Sequence, residues 1–302
     1  MEKIDRLGWA AGLSFVSYGV RVGVRVNRRD ALDLLKERFP PKWSPSTSPV
    51  VERLYSLIIG GEGRRPGVRC MNLLYSDAAR LARTLDLEAA LDQFESDLQL
   101  HVAEMARGRI FVHAGVVGWQ RRAIVIPGRS FAGKTSLVTE LVRAGATYYS
   151  DEYAVVDRDG RVHPYPKPPA IRAADNGAQV KTSIEALGGK VGTDPLPVGL
   201  VVVSHYKDGA RWRPRRLSRG QGVLWMLANT VPARRRPEAT LATLERAMTD
   251  ARVLKAARGE AQDVARRILD SVGDNMCFPR RRQPTLGQHA RPRLTELSPS
   301  VN

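Results

Sequence analysis

Hydrophobic and polar positions change rhythm several times along the chain. In SFVSYGVRVGVRV the apolar residues fall at every second position, which predicts a β-strand. Asp30 to Arg38 predicts a short helix that ends before Pro40, because the residue before a proline avoids helical geometry. PPKWSPSTSP reads as a loop by its turn-forming residues. VVERLYSLIIGG and VRCMNLLY predict two strands separated by the turn-rich GEGRRPG. Asp86 is placed to cap a long helix, DLEAALDQFESDLQLHVAEMARG, which stops at Gly108.

From Ile110 the rhythm is set by short apolar runs. FVHAGVVGW and RRAIVIPG predict two strands joined at Trp119-Gln120, and Lys134 to Arg143 predicts a helix closed by Gly145. ATYYS, EYAVVD and RVHPY follow as strands, with RDG as a hairpin turn. A proline-rich link, PKPPAIR, precedes a buried strand, LPVGLVVVSHY, for which RWRPRRLS is the expected partner. Helices are predicted over Arg219 to Asn229, Glu238 to Ala257 and Glu260 to Val272. The division that follows is an N-terminal α+β part (1–109), a second domain (110–278) and a basic flexible tail (279–302).

Composition narrows the class. The 302 residues are 43% hydrophobic and 26% charged, which fits a globular chain with a sizeable core. No stretch approaches the ~20 apolar residues of a membrane-spanning helix. Lys3 and Arg6 ahead of an apolar stretch loosely resemble a leader peptide, but Glu2 and Asp5 sit among them and no small-residue cleavage site follows. Cys70 and Cys277 match no metal-ligand spacing and fit a reducing cytoplasm. The net charge of +17 suits an anionic partner. Only nine of the basic residues are lysine, five arginines lie after Pro279, and no aromatic-interleaved basic motif appears, which argues against nucleic acid.

GRSFAGKT, from Gly128 to Thr135, carries the chemistry. It fits the phosphate-binding pattern G-x-x-x-x-G-K-[ST], with an apolar strand running in and an amphipathic helix running out. Gly128 and Gly133 allow a sharp turn and close approach to phosphate. The loop amides of Arg129, Ser130, Phe131 and Ala132, with the helix start at Lys134, Thr135 and Ser136, then form a cradle where the helix dipole favours an anion. Lys134 supplies a point charge to the outer phosphates, and the Thr135 hydroxyl can ligate Mg²⁺. Asp151-Glu152 follows one helix and one short strand later, which sets two acids beside the phosphates for proton acceptance and metal holding. The hairpin connections predict a mixed, largely antiparallel sheet, unlike the alternating order of a parallel NTPase sheet. His113 lies on an apolar strand, where a core role and a site role are both open. The arginines Arg234, Arg235 and Arg236 precede a helix, where the dipole disfavours cations, and are expected to face solvent or else bound phosphate or an acidic partner.

VHAGVV, AIVIPGRSFAGKT, a helix ending in Arg-Ala-Gly, and SDE together resemble the catalytic domain of HPr kinase/phosphorylase and its relatives, whose P-loop fold is shared with phosphoenolpyruvate carboxykinase. The likeness spans about His113 to Arg172, and Leu81 to Ala106 looks like the N-terminal part of HPr-kinase-related proteins. It implies ATP and Mg²⁺, Asp151 as the base toward a serine hydroxyl, Glu152 as a metal holder and His113 near the reaction centre. The chain departs from that family at Glu152, usually aspartate, at Thr135, usually serine, and in lacking the family's arginine- and glycine-rich signature. The resemblance therefore implies phosphate chemistry without specifying HPr or a phosphorylase. The expectation is an α/β, cytoplasmic kinase acting on a serine of a peptide or small protein, with homo-oligomerisation left open. The alternatives are a small-molecule kinase and a non-catalytic nucleotide-binding or nucleic-acid-binding ATPase.

Overall fold

The computed structural model describes residues 5, 8–62, 69–128, 133–172 and 179–273. The tail at 279–302 and Cys277 lie outside these described residues.

The alternating stretch near the N-terminus forms two strands where one was expected. β1 (Ala11–Ser17) and β2 (Val20–Val26) pair antiparallel through a two-residue turn, Tyr18-Gly19. Both turn residues have positive φ, 49° and 80°, the geometry that matches strand twist in a tight hairpin. A short helix α1 (Ala31–Lys36) and an edge strand β3 (Ser44–Ser46) follow. Next come β4 (Arg53–Ile58), the small pair β5 (Gly61–Glu62) and β6 (Arg69–Cys70), then β7 (Asn72–Ser76) and β8 (Ala79–Thr84). Six of these strands form one sheet in the order β3-β1-β2-β4-β7-β8. Helix α2 (Leu87–Met105) covers it, and the Asp86 side chain accepts a hydrogen bond from the Glu88 amide as the cap requires. Its inward residues Ala90, Leu91, Phe94, Leu98 and Val102 meet Phe15, Val24, Tyr55 and Leu57 in one core.

The second sheet begins with β9 (Arg109–Trp119) and β10 (Arg122–Pro127), joined by Gln120-Arg121 with φ of 47° and 59°. After them come α3 (Lys134–Arg143), β11 (Thr147–Ser150), β12 (Tyr153–Asp157) and β13 (Arg161–His163). A small hairpin of β14 (Ala170–Arg172) and β15 (Gln179–Lys181) leads to β16 (Leu196–Tyr206), β17 (Arg215–Arg216) and α4 (Arg219–Leu227). The described chain ends with α5 (Pro237–Ala247), β18 (Arg252–Arg258) and α6 (Ala261–Gly273). In this sheet only the β10–β16 and β16–β18 ladders are parallel among the described residues, so it is mixed and largely antiparallel. Helices α3 and α6 cover one face, where Leu137, Leu141, Ile268 and Leu269 meet Ile124, Leu200 and Val202. Helices α4 and α5 close a second core through Val223, Met226 and Leu244 against Val125, Val201 and Val253. Gly115 lets α3 lie directly on β9, since a Cβ there would stand 2.5 Å from Val138 Cγ2.

The C-terminal third corrects three expectations. The helix predicted from Glu238 to Ala257 stops at Ala247, and Arg252–Arg258 is a strand. Val253 and Leu254 are buried in cores on opposite faces of the sheet, so the strand lacks the one-sided alternation that would mark it. RWRPRRLS contributes β17, but β17 pairs with β18 and not with β16. Of the arginine cluster, Arg236 is turned inward rather than to solvent: it donates to the carbonyls of Ala106 (2.8 Å) and Glu104 (3.3 Å). It thus satisfies the C-terminal end of α2, where the helix dipole favours a cation.

Candidate functional site

β11 and β10 both run antiparallel to β9, so they run with each other, and β10 is parallel to β16 and β16 to β18. Four strand ends therefore lie on one edge of the sheet, at Ser150, Pro127, Tyr206 and Arg258. Such an edge is where open α/β sheets bind ligands. Gly128 leaves β10 with its amide bonded to the His113 carbonyl at 3.1 Å. Arg129, Ser130, Phe131 and Ala132 lie outside the described residues. Gly133 re-enters with φ of 74° and starts α3, its carbonyl accepting the Leu137 amide at 3.2 Å.

Lys134, Thr135 and Ser136 make the first turn of α3 and line a cleft of about 840 Å³ together with His113, Asp151 and Glu152. Lys134 Nζ donates to the Gly128 carbonyl at 2.9 Å, which ties the two ends of the loop together. Burial pulls the Lys134 pKa down, while Asp151 and Glu152 pull it back. The Thr135 hydroxyl donates to Asp151 Oδ2 at 2.9 Å. The Tyr148 hydroxyl lies 2.9 Å from Asp151 Oδ1 and 2.7 Å from the Lys167 carbonyl, and its one proton serves one of them at a time.

The acid pair is held by a local turn. Ser150 Oγ accepts the amides of Glu152 (3.1 Å) and Tyr153 (3.0 Å), and Ala114 N donates to the Glu152 carbonyl at 3.1 Å. Burial raises the Glu152 carboxyl above its ordinary range, aided by Asp151 and Glu95 and opposed by Lys167 and Lys134. The His113 ring lies 4.8 Å from that of Tyr153, and burial together with Lys134 lowers its pKa.

The opposite wall is built by residues that sequence reasoning missed. Glu37 and Arg38 reach it from just after α1 and Glu95 from α2, and Lys167 and Lys181 from the segment around β14 and β15. Glu95 pairs with Lys167, with Arg38 Nη1 at 3.2 Å and with Lys181 at 3.5 Å. Burial alone would raise the Glu95 pKa, but these cations hold it below the usual carboxylate range. Nothing local marks these contacts, because the partners lie far apart in sequence. His163, by contrast, is engaged away from the cleft, with Nε2 2.6 Å from Asp157 Oδ2.

Fold and cleft define a mixed α/β protein with mixed sheets. No family model and no curated protein matches the sequence. Among solved structures, the Hpr(Ser) kinase/phosphatase from Coxiella burnetii is similar to 54% of this chain and 93% of its own, at 14% identity and a TM-score of 0.29. A likeness that weak decides neither fold nor function. No helix among the described residues is long and apolar enough to cross a membrane.

Proposed function

We propose that this protein is an ATP-dependent phosphotransferase of the HPr-kinase-like, P-loop type that passes the γ-phosphoryl group to a serine hydroxyl of a peptide or small protein. The observation that carries this reading is the 2.9 Å contact between Thr135, on the first turn of α3, and Asp151, at the end of β11. It brings the helix start of a phosphate-binding motif and a carboxylate into one cleft. In this reading residues 110–278 are the catalytic unit, and the N-terminal part (1–109) recognises the acceptor through the wall formed by Glu37, Arg38 and Glu95. The setting proposed is cytoplasmic.

Phosphoryl transfer asks the protein mainly to position groups and neutralise charge. The loop amides and Lys134 would hold the outer phosphates. Thr135 and Asp151 offer hard oxygen donors side by side, the donor type Mg²⁺ takes. When bound, Mg²⁺ would supply charge neutralisation on the phosphate oxygens. His113 would border the reaction centre.

The acids divide the remaining work. The family resemblance makes Asp151 the base and Glu152 the metal holder. One observation supports the reverse reading: Thr135 and Tyr148 stand at the two oxygens of Asp151, which fits that carboxylate as the metal holder and Glu152 as the base toward the incoming hydroxyl. Labelled ATP, offered with serine peptides, free amino acids and sugars, tests the proposal through Asp151→Asn and Glu152→Gln. Loss of the base should abolish transfer at every Mg²⁺ concentration while ATP still binds. Loss of the metal holder should raise the Mg²⁺ required. Label on small molecules alone would select a small-molecule kinase, and nucleotide binding with no acceptor labelled would select a nucleotide sensor.

A further inference from the structure

The sheet order along the ligand edge is β11-β9-β10-β16-β18. The acids follow β11, on one side of the phosphate loop, and the ends of β16 and β18 lie on the other. A nucleoside triphosphate laid with its terminal phosphate toward Asp151 and Glu152 would direct its ribose and base toward the strand ends at Tyr206 and Arg258. This step rests on the phosphate-loop reading above.

Those two residues are arranged unlike ordinary strand ends. Arg258 is only 3% exposed, yet it contacts no carboxylate among the described residues. Its Nη2 donates to the Gly133 carbonyl at 2.8 Å, its Nη1 to the Gly259 carbonyl at 3.0 Å, and its Nε has no partner among the described residues. Glu260 is the nearby carboxylate that attracts it, but no ion pair joins the two among the described residues, which leaves the guanidinium beside Gly133 suited to an anion. The guanidinium lies 5.8 Å from the centroid of the Tyr206 ring. That ring is 50% exposed, and its hydroxyl donates to Glu260 Oε1 at 2.8 Å. Tyr206 is thus fixed at its tip and along its ring while half of it stays open to solvent.

We propose that Tyr206 and Arg258 form the subsite for the nucleobase and its adjoining phosphate. The exposed Tyr206 ring stacks on the base, as aromatic side chains do on any base. Arg258 links that ring to Gly133 and so sets the spacing between base and phosphate loop. Sequence reasoning missed both roles because Arg258 ends the strand that was expected to be helical.

Calorimetric titration with Mg·ATP and with Mg·tripolyphosphate, which lacks a base, tests this. Wild type should bind ATP about tenfold or more tighter than tripolyphosphate. Tyr206→Ala should bring ATP to the tripolyphosphate level and leave tripolyphosphate affinity unchanged. Tyr206→Phe, which keeps the ring and loses the Glu260 contact, should retain most of the preference for ATP. Wild type that binds both ligands equally, or Tyr206→Ala that keeps the preference, overturns the subsite alone. Wild type that binds neither overturns the phosphate-loop reading and the subsite with it.

Discussion

Replacing Glu95 with glutamine perturbs the wall of the cleft at its electrostatic centre. The Glu95, Lys167 and Arg38 side chains are 14%, 18% and 12% exposed, whereas Lys181 is 56% exposed. Breaking a buried ion pair by removing one partner costs about 3–5 kcal/mol. Two corrections lower that figure here. Arg38 keeps Glu88 and Asp92, at 2.6 and 2.8 Å, and the exposed Lys181 pair is worth only about 0–1 kcal/mol. The expected loss at neutral pH is therefore about 2–3 kcal/mol, dominated by Lys167, or a fall of roughly 5–10 °C in melting temperature for a chain of this size. The pH dependence follows from the lowered Glu95 pKa. Its stabilisation is complete above the usual carboxylate range and is lost as pH falls through the depressed folded-state pKa. Differential scanning calorimetry between pH 7 and pH 3 should show the gap between wild type and Glu95→Gln closing on acidification. A gap of under one degree at pH 7, or one that persists unchanged into acid, would refute the reasoning.

Three further substitutions probe other parts of the account. Gly133→Ala places a side chain at φ of 74° and a Cβ 2.5 Å from Arg258 Nη2, so urea unfolding should show a loss of about 2–4 kcal/mol, and an unchanged midpoint would contradict the loop geometry. Gly115→Ala pushes α3 off β9 through Val138, with an expected loss of about 1–3 kcal/mol read the same way. Asp157 accepts the amides of Asp159 and Arg161 and meets His163; burial raises its pKa, but these partners outweigh that and leave it lowered. Its contribution is present above the usual carboxylate range and lost in acid, so Asp157→Asn should cost about 1–2 kcal/mol at pH 7 and little at pH 3 in chemical denaturation.

Features governed by neighbours in sequence were legible in advance. The Asp86 cap and the helix after Gly133 follow from backbone and capping preferences acting within a few residues, whereas α2 ends at Met105, three residues before the expected stop at Gly108, and the turn expected at Trp119-Gln120 falls one residue later, at Gln120-Arg121. The phosphate-loop pattern and the acids at 151 and 152 were readable for the same reason, whereas the Thr135–Asp151 hydrogen bond emerged only from the fold. What sequence did not show depends on long-range pairing. Arg252–Arg258 became a strand because β16 and β17 flank it, although its run of alanines and arginines suits a helix as well. With that strand unseen, Arg258 could not be placed beside Gly133. Glu95 looked like one more acid on an amphipathic helix until the chain brought Lys167 and Lys181 to it.

The central claim is that the turn from Gly128 into α3 holds a triphosphate. The most direct measurement is the calorimetric affinity of wild type and Lys134→Ala for Mg·ATP, with melting temperature followed in parallel at saturating ligand. The account predicts that ATP binds wild type and raises its melting temperature, and that Lys134→Ala loses both effects while remaining folded. Equal binding and equal stabilisation in the two proteins would contradict it.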